Sequence, residues 1–173
     1  MKKIINSALL SLFILTGFNS CGPNTDEAVK FNDALVDQQT LVFEKESILI
    51  DGISKNMPEK LDSALYLLVD QVKQSAEATE KLKDFKGGKE LLDAALKVFS
   101  TYKNVAEQEY SEMIKIAKIP DSLYTQEDDN KIIDISKKID DKLNQSIDTF
   151  IVKQKDFSTK FKFELPIKDS ENK

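Results

Sequence analysis

The chain contains no histidine, no arginine and no tryptophan, so its 25 basic residues are all lysine. Without histidine it lacks the side chain whose ordinary pKa lies nearest neutrality, and with it the usual proton shuttle and the commonest metal ligand. Ferritin-like di-iron sites, which need Glu-x-x-His pairs on facing helices, are excluded. Haem would have to rely on methionine, and Met57 and Met113 lie in no attachment motif. Without arginine there is no planar fork for bidentate recognition of phosphate, and without tryptophan the strongest interface anchor is missing. Glycine-rich phosphate loops are absent too. Gly87-Gly88 stands alone between Lys86 and Lys89 and reads as a helix-to-helix turn. No serine sits in a Gly-x-Ser-x-Gly elbow, and no histidine exists to serve one as a base.

What the chain does have begins at its start. Lys2-Lys3 is followed by an apolar run from Ile4 to Phe18, broken only by Asn6, Ser7, Ser11, Thr16 and Gly17, and then by Asn19-Ser20-Cys21. A positive start, a short apolar centre and a small residue before the cut describe a secretory signal peptide. The apolar stretch, about 15 residues, is short of the ~20 needed to span a hydrocarbon core. Cys21 is the only cysteine of the chain. Its place just after the cut resembles the signal of a bacterial lipoprotein. Phe18 stands where such signals usually carry Leu, and looser boxes of this kind resemble those of Bacteroidota lipoproteins.

That resemblance covers the first 21 residues and implies a specific fate for them. Residues 1–20 are removed, the Cys21 thiol takes a diacylglyceryl group, and the new amine is acylated. Several acyl chains, each contributing ~0.8 kcal/mol per buried methylene, hold a protein stably where one chain would be marginal. No free thiol then remains for nucleophilic or redox work. Gly22, rather than Asp, follows the cysteine, which implies delivery to the outer membrane. Asp26-Glu27 lie far from Cys21 for a surface-export signal, so the periplasmic and surface faces both stay open.

Cleavage leaves residues 21–173, one domain's worth of chain and enough for a core without disulfides. Loss of Lys2 and Lys3 takes the net charge from −5 to −7, which argues against nucleic acid and against a polybasic grip on anionic lipid. Residues 21–24 form a short tether, residues 25–160 carry four segments of helical periodicity, and residues 161–173 form a tail. The first helix is expected from Asn24-Thr25, with Glu27 completing a capping-box-like pair with Asn24, to Asp51, with Gly52 as its stop. The second opens at Pro58 and carries Leu61, Leu65, Leu68, Val72, Ala76, Thr79 and Leu82 on one stripe. The third runs from Lys89 to about Lys118, with Leu92, Ala95, Phe99, Tyr102, Ala106, Met113 and Ala117 inward, until Ile119-Pro120 breaks it. The fourth follows Thr125, a cap with Glu127, Asp128 and Asp129 in the first turn. Its buried face is Ile132, Ile135, Ile139, Leu143, Ile147, Phe150 and Phe157.

Helices of this length are about 40 to 50 Å long, and links of a few residues force neighbours antiparallel. The expected fold is all-α, an up-down-up-down four-helix bundle. The one alternating stretch, Phe161 to Leu165, is expected as a frayed or extended tail that packs its two phenylalanines on the bundle. Its other reading has Phe157, Phe161 and Phe163 exposed to dock a partner helix or a membrane surface. Ile167 to Lys173 is expected to be disordered.

The carboxylates form no recognisable metal loop. Asp121 to Asn130 lacks the Asp-x-Asp-x-Asp-Gly spacing of a calcium site and the glutamate that ends it. Glu107, Glu109, Glu112 and Asp140-Asp141 read as solvated helix faces, with Lys103 and Glu107 spaced for weak pairing. No metal and no cofactor are expected. Paired carboxylates can perform glycoside chemistry, but that needs a cleft, which a compact bundle scarcely offers; no enzyme activity is expected.

One local pattern stands apart. In the first helix the apolar residues fall in triplets, Ala34-Leu35-Val36, Leu41-Val42-Phe43 and Ile48-Leu49-Ile50, repeating every seven residues. At about 100° per residue, Asn32, Gln39 and Glu46 fall inside the wide apolar arc, and Gln38 falls inside it on the other side. Buried polar groups cost ~1 to 3 kcal/mol each if unpaired, so partners are expected, with the hydroxyls of Tyr66, Tyr102 and Tyr110 as candidates. The stripe is either a polar layer that sets helix register or a small pocket or partner-facing groove. The function expected overall is that of a non-catalytic envelope lipoprotein, held to the membrane by its N-terminal lipid, whose bundle binds or supports an envelope or host partner. The alternative is a bundle that holds a small ligand, or runs a carboxylate-based reaction, along that stripe.

Overall fold

A computed structural model describes residues 24–166. The expectations for the signal segment and Cys21, and for residues 167–173, lie outside the described residues. Within them the chain is all-helical: α1 Thr25–Ser54, α2 Pro58–Glu80, α3 Lys89–Val105, a π turn over Ala106–Tyr110, α4 Ser111–Ala117 and α5 Gln126–Phe161. The backbone stays helical from Val105 through Ser111. So α3, the π turn and α4 make one continuous rod, and the bundle has four helices.

Capping explains where the rods begin. Asn24 Oδ1 accepts from Glu27 N–H at 2.9 Å while Asn24 N–H donates to Glu27 Oε2 at 3.1 Å, a complete capping box. Thr125 and Asp128 repeat it at the start of α5, where Thr125 N–H donates to Asp128 Oδ2 at 3.0 Å. Pro58 opens α2, where a missing N–H costs nothing.

The stops follow a different logic from the one expected. Gly52 does not end α1, which continues to Ser54. It is buried, and a Cβ there would stand 3.0 Å from the Leu61 side chain, so its smallness serves close approach of α1 to α2. The left-handed residue that turns the chain is Asn56, at φ 49°. α2 likewise ends early, at Glu80. Residues 81–88 form a turn that folds Leu82 and Phe85 back against the core. Gly88, in that turn, is buried, and a Cβ there would lie 2.7 Å from the Phe31 ring.

The expected stripes form the core. Leu35, Val42 and Leu49 of α1 meet Leu61, Leu68 and Val72 of α2, and Val98, Phe99 and Tyr102 of α3 meet Ile135, Ile139, Leu143 and Phe150 of α5 in one buried cluster. Leu65, Ala76, Ile132 and Ile147 are half-buried at its margin. α1 packs along α2, α2 along α3 and α3 along α5, whereas the α1–α5 seam is far more open.

One end of the bundle is closed by phenylalanine. Phe31 stacks on Phe85 with ring centres 4.4 Å apart, and Phe157 lies 5.4 Å from Phe31 and 4.7 Å from Phe161. The chain turns as it leaves α5. Lys162 takes the left-handed conformation at φ 58°, the Phe163 N–H donates to the Ser158 carbonyl at 3.1 Å, and the Phe163 ring meets Phe157 edge-on at 5.9 Å. Phe157 is buried and Phe161 and Phe163 are half-buried against the core, so they pack on the bundle.

Candidate functional site

The polar stripe of α1 is buried as its arc requires. Asn32 is 2 % exposed and Gln39 is 7 % exposed, while Gln38 and Glu46 are half-buried. The four do not converge on one site; each lies at its own level along the helix.

At the Phe-closed end, Asn32 Oδ1 accepts from Gln154 Nε2 of α5 at 2.9 Å, and Asn32 Nδ2 donates to Asp33 at 3.2 Å. Gln154 has no marker in the sequence beyond being polar near a buried face. At the next level the Gln38 side chain makes no hydrogen bond among the described residues. Its backbone carbonyl accepts from the buried Ser75 Oγ of α2 at 3.1 Å, which in turn accepts from Gln71 Nε2 at 3.1 Å.

Glu46 has the strongest partners. Tyr102 Oη donates to Oε2 and Tyr110 Oη donates to Oε1, each at 2.6 Å. Tyr66, the third candidate, is 69 % exposed on α2 and takes no part. The two tyrosines are eight residues apart, which on a regular α-helix would set them about 80° apart around the axis. An i→i+5 turn takes up one residue more than an α turn, so across it the pair behaves like positions seven apart, about 20° out of line. The π turn at Ala106–Tyr110 lies between them and so brings both hydroxyls to one carboxylate. Nothing in residue type or spacing announces that turn.

One expectation for the α3 rod is overturned. Glu109, read as solvated, is 8 % exposed, and its Oε1 accepts from Lys142 Nζ of α5 at 2.6 Å while Oε2 has no partner among the described residues. Seven residues after the buried Tyr102, Glu109 lies about 20° from it around a regular helix and so faces inward by position, where Lys142 supplies its charge partner.

The two phenols that contact Glu46 keep their protons well past neutrality. Burial, reinforced by the negative charge of Glu46 and by its hydrogen bonds, pushes both phenols well above the ordinary tyrosine range. A general acid or base works best with a pKa near the operating pH, and Tyr102 and Tyr110 are almost wholly buried, at 1 % and 2 % exposed. The arrangement is a clamp: one carboxylate of α1 ties down the α3 rod ahead of its π turn, at Tyr102, and at the turn's last residue, Tyr110.

Gln39 is the exception, because its Nε2 is buried with no hydrogen-bond partner among the described residues. An unmade donor of this kind costs about 1 to 3 kcal/mol. Gln39→Met, of similar shape without the amide, is therefore expected to raise stability by about 1 kcal/mol, read as a higher urea midpoint at unchanged m-value. A fall instead would show that the amide has a partner the protein needs.

No group of three or more His, Cys, Asp or Glu among the described residues is placed to hold a metal ion. No helix among them is long and apolar enough to cross a membrane. Comparison with known proteins finds no matching family model, no matching curated protein and no matching solved structure.

Proposed function

We propose that the chain is a lipid-anchored envelope protein whose bundle is a non-catalytic support or binding element for an envelope or host partner, and that its rods run antiparallel, up-down-up-down. The observation that carries the reading is the N-terminal pattern ending at Cys21, with the capped start of α1 only three residues later, at Asn24. Cys21 is the lipid attachment point, and Gly22 after it favours the outer membrane.

Pairings between rods support the topology. Asn32 near the start of α1 meets Gln154 near the end of α5, and Asp62 early in α2 meets Lys118 just after α4. Glu90 early in α3 meets Lys153 late in α5. Support for a non-catalytic role comes from the polar stripe, whose Asn32 and Glu46 are satisfied by neighbouring helices.

The test compares wild type with Cys21→Ser for intact mass and membrane partition. The wild-type chain is expected to begin at Cys21, carry the mass of its acyl groups and sediment with membranes, while the variant becomes soluble. Protease added to whole cells then distinguishes the periplasmic from the surface face. An unacylated soluble wild type, or one that keeps residues 1–20, overturns the proposal.

A further inference from the structure

The seam between α1 and α5 is fastened toward the Phe-closed end. Thr25 Oγ1 is stitched there to α5, donating to the Phe161 carbonyl at 2.9 Å, and the Asn32–Gln154 bond follows along the same seam. Toward the other end the rods part over a cavity of about 280 Å³, walled by Ile50 and Ile53 of α1 and Ile132 of α5 and floored by the buried Met113 and Ile139. Asp140 is the one charged residue of its lining among the described residues. Ile133, seven residues before Asp140 and so on the same flank of α5, is 63 % exposed, and Ile50 is 49 % exposed.

An apolar strip continues the cavity along α1. Val36, Phe43 and Ile50 recur every seven residues, and the first two are half-buried. One residue after each stands an exposed carboxylate, Asp37, Glu44 and Asp51, about 100° further round on the solvent side. Asp51 pairs with Lys55, whereas Asp37 and Glu44 have no ion pair among the described residues. Both bordering rods are negative overall: α1 holds seven carboxylates against Lys30 and Lys45, and α5 holds eight against seven lysines.

We propose that this seam is a docking groove for an amphipathic helix of a partner protein, one whose flank carries lysine or arginine. The proposal deepens the reading of the bundle as a binding element by naming the surface and the chemistry of its partner. An apolar strip that repeats every seven residues matches the spacing at which a helix presents side chains, which is the geometry of helix-in-groove recognition. From Val36 to Ile50 is two heptads, about 21 Å, so about 14 residues of helix fill it. Apolar side chains of the partner then settle between α1 and α5, and its basic flank meets Asp37 and Glu44. Residues 167–173 do not suit the place, because they leave α5 at the fastened end and seven residues extend at most about 25 Å. Ile133 lies about 42 Å back along α5 from Phe161. A second copy of the chain would set one acidic rim against another, and like charges across an interface oppose association.

The test titrates the unacylated mature chain, residues 21–173, into a fluorescein-labelled helical peptide of about 18 residues, with leucine along one stripe and lysine elsewhere, and reads anisotropy. A second peptide replaces every lysine by glutamate. The lysine peptide is expected to bind at least about tenfold more tightly than the glutamate peptide. Ile50→Ala/Ile133→Ala should weaken it about tenfold, and Asp37→Asn/Glu44→Gln about threefold. All four sites are exposed, so the urea midpoint should hold. Leu41→Ala/Ile48→Ala, on the α2 side of α1, should leave the affinity unchanged. No binding, an affinity indifferent to Ile50→Ala/Ile133→Ala, or equal weakening by Leu41→Ala/Ile48→Ala overturns the proposal. So does a dimer of the chain alone that Ile50→Ala/Ile133→Ala dissolves, which gives the groove to a second copy, and so does loss of peptide binding in residues 1–173, which gives it to the N-terminal segment. An unacylated Cys21 in the cell removes the lipid anchor without moving these affinities, whereas failure here removes the groove and leaves the anchor.

Discussion

Phe157→Ala is expected to destabilise the bundle by about 3 to 5 kcal/mol, the cost of truncating a well-packed core phenylalanine. Phe157 is 4 % exposed and lies within 5.9 Å, centre to centre, of Phe31, Phe85, Phe161 and Phe163. These residues come from α1, the 81–88 turn and the end of α5, so the cavity opens where three segments join and cannot be filled by one of them moving. A domain of this size has about 5 to 15 kcal/mol in total, so the variant should sit near the edge of folding at 37 °C. Urea unfolding checks it, with a much lower midpoint at unchanged m-value expected. A loss below about 1 kcal/mol, typical of a surface position, would mean that the five rings do not pack together. Phe163→Ala, at a half-buried ring, should cost clearly less.

The second large effect is alkaline unfolding. Tyr102 and Tyr110 hold their protons in the folded state to a higher pH than in the unfolded chain, because burial and then the Glu46 carboxylate oppose the phenolate. Unfolded tyrosines release theirs near pH 10. Above that pH the native state binds more protons than the unfolded one, so stability must fall as pH rises. The contribution is fully present below about pH 10 and is lost at about 1.4 kcal/mol per pH unit for each tyrosine, close to 3 for the pair. Urea titrations from about pH 8 to 11 on wild type and on Tyr102→Phe/Tyr110→Phe isolate the effect, since the lysines are common to both chains. The variant is expected to start less stable, having left Glu46 without its two donors, and then to lose stability with a shallower slope. Parallel slopes would contradict the buried clamp.

The patterns that depend on helical period alone were legible in the sequence. The Asn24 and Thr125 caps, the Pro58 start, the heptad Leu35, Val42, Leu49 and the burial of Asn32 and Gln39 follow from local chemistry and a period of 3.6 residues. Features decided by the neighbouring helix were not. Gly52 looks like a stop by residue type, but the approach of Leu61 is what requires it to be small. Glu109 looks solvated by its charge, although it follows Tyr102 by seven residues on the inward face, until Lys142 of α5 is laid against it. Tyr110 was nameable as a partner of the stripe, yet its sharing of one carboxylate with Tyr102 depends on that turn. Gln154 is an ordinary polar residue until α5 is laid against Asn32.

The stitch between Thr25 and Phe161 has a mechanical consequence. It fastens the first and last helices at the same end, so a pull exerted through the N-terminus passes sideways into α5 as well as along α1. The turn at Asn56 lies at the other limit of the 30-residue α1, about 45 Å distant at 1.5 Å per residue. The molecule is thereby a stiff spacer: a peptide inserted at Asn56 would be displayed at that fixed height above Thr25, whereas one appended after α5 would stay at the base.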